Sequence, residues 1–154
     1  GNLYTAAGNT EAAVAVYRKM LVRRPEDLDL LRRLASVHHI AGQWGRAATV
    51  YERLKDLHSD DVQVFYNLGL VYDRMGAPEK AILAYRETIA ADPQHVNAHL
   101  NLAIDLVETR QYEDALRVCG QFLALAGDHE KRKQVEEIVK ELRSALGDKA
   151  GIAE

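Results

Sequence analysis

Gly8, Gly42 and Gly76 stand 34 residues apart, and Ala13, Ala47, Ala81 and Ala115 keep the same spacing. Tyr17, Tyr51 and Tyr85 make a third ladder that Cys119 continues, and Leu34, Leu68 and Leu102 a fourth, each leucine followed by Ala35, Gly69 or Ala103. Pro25 and Pro93 lie two periods apart, with Ser59 and Gly127 at the matching places. Several ladders on one period mean that the chain repeats a single supersecondary unit, which buries its apolar face only by stacking on its neighbours. That excludes most folds of this length before any residue is read for chemistry.

Each unit reads as two amphipathic helices. Val62, Phe65, Leu68, Gly69 and Tyr72 recur at three- and four-residue intervals and mark one buried stripe that stops near Gly76. Pro78 suits the first turn of the next helix, where its missing N–H has no partner to lose, and Ala81, Ile82, Tyr85 and Ile89 supply that helix's apolar face. Gly69 and Ala81 are small enough to let two backbones approach, with Tyr72 and Tyr85 filling the space beside them.

The segment from Phe65 to Tyr72, followed by Gly76, Ala81, Tyr85 and Pro93, resembles the signature of the tetratricopeptide repeat family. Leu31, Leu34, Ala35, Gly42, Trp44, Ala47 and Tyr51 match it in the unit before, with His38 in place of a tyrosine. The fourth unit diverges at Leu106, Arg110 and Cys119 but keeps Leu102, Ala103, Tyr112 and Ala115; the first matches only its latter part, through Leu3, Tyr4, Gly8, Ala13, Tyr17 and Pro25. The resemblance implies an all-α fold, a right-handed alpha-alpha superhelix of about three and a half repeats. The repeats span 1–127, as a partial 1–27 followed by 28–61, 62–95 and 96–129. Asp128 can cap a closing helix at 128–147 whose Val135, Ile138, Val139, Leu142 and Leu146 form one stripe. Gly147 reads as its stop, with 148–154 as a disordered tail. Helices are expected near 1–7, 11–24, 28–41, 45–58, 62–75, 79–92, 96–109, 113–126 and 129–146.

Composition narrows the functional classes. The net charge is −3 and the basic residues come in short runs broken by acids, so no nucleic-acid surface is expected. No stretch has the apolar length of a membrane span, and no membrane insertion is expected. Cys119, the single cysteine, rules out an internal disulfide and a cysteine-built zinc site and fits a reducing compartment such as the cytoplasm. The chain begins with Gly1, so an upstream targeting sequence can be missing. No phosphate loop, nucleophile elbow or metalloprotease pair occurs, and neither an enzyme activity nor a cofactor is expected. His95 and His99, four apart, are read as packing and surface residues rather than metal ligands; His38 is read as core, and Cys119 as a small buried hydrophobe.

Function then falls to the surface of the stack. In such an array the first helix of each pair lines a groove. The positions expected there are Arg32, Arg33, Ser36, Tyr66, Asn67, Leu70, Arg74, Asn97, Asn101 and Ile104, with Leu100 and Val107 adding apolar surface. Asn67 and Asn101 stand one period apart and resemble the asparagine ladder of the O-GlcNAc transferase repeats, where amides grip the backbone of an extended peptide. An amide offers a donor and an acceptor together, as a peptide unit requires; the alternative is that each asparagine bonds a neighbouring helix. The partner expected is a protein or peptide, with the module acting as scaffold or adaptor. A self-associating assembly module, or a non-catalytic arm of a larger enzyme or of a secretion or chaperone complex, is the alternative. Either a second copy of the chain, making a homo-oligomer, or an upstream repeat is expected to meet the N-terminal edge, where Tyr4, Val14, Tyr17 and Leu21 lack half a repeat to cover them. A carboxylate-clamp co-chaperone, which the chain resembles only in fold, fits poorly: Asn2 is present, but Arg33 and Asn67 do not reproduce the rest of its Lys/Asn and Lys/Arg set.

Overall fold

The computed structural model describes the backbone of residues 2–57 and 60–151, and the side chains of 9–57 and 60–147. Among them every regular element is an α-helix: α1 (Asn2–Arg23), α2 (Leu28–Ile40), α3 (Trp44–Leu57), α4 (Val62–Arg74), α5 (Pro78–Ala91), α6 (Val96–Glu108), α7 (Tyr112–Leu125) and α8 (Arg132–Gly151). The chain divides into two compact units, residues 1–77 with α1 to α4 and residues 78–154 with α5 to α8. Within each unit, every helix packs on the next one along the chain.

The helix starts repeat as regularly as the core. Asp27 caps α2 by accepting from the Leu30 N–H (3.1 Å), and Asp61 caps α4 by accepting from those of Gln63 and Val64 (3.1 and 3.3 Å). His95 caps α6 through Nδ1, which accepts from the Ala98 N–H (3.1 Å), and His129 Nδ1 accepts from the Lys131 N–H (3.1 Å) ahead of α8. The four positions stand one period apart, so a side-chain acceptor recurs wherever a first helix begins and its early N–H groups lack partners. His95 thus serves as a cap, while His99 on α6 donates from Nε2 to the Pro93 carbonyl (3.0 Å).

The turns inside the pairs also repeat. The N–H groups of Gln43, Ala77 and Gln111 donate to the carbonyls of His38, Tyr72 and Leu106 at 2.8–3.0 Å, the six-to-one bond of a Schellman ending. Such an ending needs one left-handed residue, supplied by Gly42 (φ 68°), Gly76 (φ 66°) and, in the last turn, Arg110 (φ 60°). Helix packing imposes the turn there even on a side chain that disfavours it.

Ala47, Ala81 and Ala115 are each 0% exposed, which settles the register of the second helices. In the first unit they are joined in the core by Leu31, Ala35, Leu54 and Val71, and in the second by Tyr85, Ala98, Leu106, Phe122 and Val135.

The two ends depart from expectation. A break near Gly8 separating 1–7 from 11–24 does not occur, and α1 runs unbroken. A seven-residue stub is too short to form its own helix, whereas a glycine within a helix costs only about 0.5–1 kcal/mol. Val14 and Leu21 are buried and Tyr17 is half-buried, while Val16, Met20 and Val22 of α1 are exposed; the side chain of Tyr4 lies outside the described residues. At the other end, Asp128 sits in a turn, α8 starts only at Arg132, and Gly147 does not stop it. Arg132 instead donates to the carbonyls of Leu123 and Gly127, closing the C-terminal end of α7 with a cation. The part of 148–154 beyond Gly151 lies outside the described residues.

Candidate partner-binding faces

Each unit carries its own share of the expected groove residues, and the local geometry sorts them. In the first unit α2 and α4 supply Arg32, Arg33, Ser36, Tyr66, Asn67, Leu70 and Arg74. Arg33 and Ser36 are exposed, and Arg33 has no hydrogen bond or ion pair among the described residues. Tyr66 and Leu70 are half-buried. Arg32 is already engaged: its Nε and Nη2 donate to Asp61 Oδ2 at 3.1 and 2.6 Å, and Nη1 reaches Asp29 at 3.4 Å. Burial pushes the Asp61 carboxyl up, but the Arg32 hydrogen bond, the Val64 and Gln63 N–H groups and the charge of Arg32 outweigh it and hold its pKa below the ordinary value. Arg32 thereby braces the start of α4.

Arg74 is exposed, with its guanidinium carbon 5.7 Å from the centroid of the Trp44 ring. His39 meets the same ring edge-on at 5.5 Å. Burial and then the charge of Arg74 lower the His39 pKa, so this edge of the unit carries one cation on an aromatic base rather than two.

Asn67 is half-buried on α4. Its Oδ1 accepts from Gln63 Nε2 (3.0 Å), and its side chain lies near the Tyr51 hydroxyl on α3. Burial raises the Tyr51 pKa, and the neighbouring Asn67 amide opposes that rise. In the second unit the corresponding Asn101 on α6 is held outright, its Nδ2 donating to the Tyr85 hydroxyl on α5 at 3.2 Å. Both pairs are sixteen residues apart. The tyrosine ladder therefore fills the core with its rings and sets its hydroxyls beside the asparagines, a role invisible while the tyrosines counted only as packing. The signal was a constant offset between two ladders. One amide hydrogen of Asn101 is committed to Tyr85, and the Asn101 Oδ1 has no partner among the described residues. Asn97 and Ile104 on α6 are exposed, Val107 is half-buried, and Leu100 is buried.

The model of the tetratricopeptide repeat family matches residues 1–62, 41–96 and 66–128. The general transcriptional corepressor trfA of Dictyostelium discoideum is 25% identical over 137 residues, 88% of this chain and 10% of the corepressor, so the chain spans about a tenth of that relative. Among solved structures, MamA superimposes with a TM-score of 0.75 at 16% identity, over 94% of this chain and 93% of its own. A Desulfovibrio magneticus MamA reaches 26% identity and a TM-score of 0.69, over 80% of this chain and 70% of its own. The Yersinia enterocolitica type III secretion chaperone SycD, solved with a peptide of the translocator YopD, aligns with a TM-score of 0.68 at 20% identity, over 77% and 94%. With the 34-residue ladders, the paired helices and the matched family model in agreement, the chain belongs to the tetratricopeptide repeat family.

Proposed function

We propose that the chain is a non-catalytic protein-interaction module whose first helices hold an extended segment of a partner protein, with the asparagine amides on its backbone. The observation that supports this most is the hydrogen bond that holds Asn101 on Tyr85, with Asn67 set near Tyr51 one period earlier. The Asn101 amide is pre-oriented while partly exposed, which reduces the entropy lost when it grips a peptide unit. Arg33 adds an unpaired cation one period before Asn67, and Ile104 adds an apolar contact beside Asn101. SycD, which shares the fold, was solved holding a peptide.

Short peptides selected against the purified chain from a display library provide the probe. Arg33→Ala is expected to weaken acidic peptides most and to flatten the salt dependence of their binding. Equal salt dependence in parent and variant would remove Arg33 from the site.

A further inference from the structure

A recess lined by neither Arg33 nor Asn67 lies in the first unit. It is a cavity of about 420 Å³ between α1 and α3 with α2 behind it, and it shares Arg18 and Arg46 with a smaller hollow of about 210 Å³. Leu21, Leu34 and Val50 give it an apolar lining, and Arg18, Arg46 and Arg53 stand around it. Among the described residues none of the three arginines meets a carboxylate: Arg53 donates to the Pro25 carbonyl, Arg46 makes one long bond to Gln43 (3.4 Å), and Arg18 has no partner. Three uncompensated cations around an apolar recess complement an acidic segment that carries a bulky anchor.

The His38 ring, 1% exposed, also lines this cavity and is only half satisfied. Its Nδ1 lies 2.6 Å from Gln43 Oε1, and Arg46 donates to the same oxygen. The amide oxygen is therefore the acceptor and Nδ1 the donor, which leaves Nε2 of the neutral ring as a lone-pair acceptor. It has no partner among the described residues and is not sealed from the surface as His99 Nδ1 is. We infer that this cavity is a docking site for an acidic segment of a protein partner, anchored by one tyrosine or tryptophan whose O–H or N–H donates to His38 Nε2 while flanking carboxylates meet Arg18, Arg46 and Arg53. Neither Arg33 nor Asn67 lines it, so the first unit can engage two segments at once.

The test uses three fluorescein-labelled peptides of one acidic sequence carrying tyrosine, phenylalanine or alanine at the centre, titrated into the whole chain by fluorescence anisotropy. The expected order of affinity is tyrosine, then phenylalanine, then alanine. Arg18→Glu with Arg46→Glu, both on exposed positions, is expected to weaken the tyrosine peptide more than about tenfold. Asn67→Ala with Asn101→Ala leaves it unchanged, which separates this site from the function proposed above. His38→Leu is expected to erase the gap between tyrosine and phenylalanine; where that buried change disturbs folding, the same gap in the parent chain carries the test. Equal binding of the tyrosine and alanine peptides, or insensitivity to the arginine reversal, would overturn the inference. So would sedimentation revealing a dimer that Arg18→Glu dissociates, since the occupant would then be a second copy.

Discussion

Single residues here carry two duties that their ladders alone do not reveal. Tyr51 and Tyr85 fill the core and also set their hydroxyls beside Asn67 and Asn101. The ring's part was legible in the sequence, because an aromatic on a fixed period beside a small residue is a packing signal. The hydroxyl's part was not, since a hydrogen bond depends on where two helices bring their tips. The partner of Arg32 was hidden for the same reason: a basic residue on a groove-lining helix reads as a ligand contact, and nothing in its spacing shows Asp61, 29 residues on and 2.6 Å away. Arg110 makes the cleanest residue-scale prediction. It holds φ 60° where the two earlier turns use glycine, and a non-glycine residue pays about 1–2 kcal/mol for that conformation. Part of that gain is offset by the freedom glycine adds to the unfolded chain. Arg110→Gly is thus expected to stabilise by about 0.5–1 kcal/mol in urea unfolding, and a lower midpoint would contradict it.

Among the helices, the interior ones were legible and the terminal ones were not. α2 to α7 each have a neighbour on both sides in sequence, and the amphipathic period with its glycine or proline boundary fixes them to within a residue or so. Among the described residues α1 and α8 each have a neighbouring helix on one side only, so the glycines at 8 and 147 meet no second helix there that would make a turn worthwhile. The cap ladder Asp27, Asp61, His95 and His129 was hidden by its mixed composition. Asp61 gives its test. Its folded pKa lies below the ordinary carboxylate value of 3.8, so its contribution is fully present above that value and is lost as pH falls through the folded pKa. Asp61→Asn, which keeps a capping oxygen but loses the charge opposite Arg32, is expected to lower stability near neutrality and to shrink the difference from the parent under acid conditions. A stability gap constant with pH would place the effect elsewhere. In the second helices, Ala81→Leu is expected to cost about 1–3 kcal/mol, because the site has no room for added methylenes. An unchanged melting temperature would mean that Ala81 is not where α5 meets its neighbours.

For the molecule as a whole, the 34-residue period prescribed the fold because every unit must bury the same stripe against the next, and a family model spanning residues 1–128 agrees with it. What the molecule binds was less legible, since core positions obey the period and ligand-facing positions are free to vary: the same place holds Arg33, Asn67 and Asn101 in successive units. The claim that unites these scales is that the asparagines beside the tyrosine hydroxyls are presented to a partner's backbone. Isothermal titration of library-selected peptides into three proteins tests it: the parent, Asn67→Ala with Asn101→Ala, and Tyr51→Phe with Tyr85→Phe. Each amide bond to a peptide backbone contributes a net of about 0.5–1.5 kcal/mol. The asparagine variant should therefore weaken by about tenfold or more every selected peptide whose binding is insensitive to Arg18→Glu with Arg46→Glu, and the phenylalanine variant, which frees the amides without removing them, should weaken them less. An asparagine variant that folds as the parent does and binds the same peptides with undiminished affinity would contradict the account.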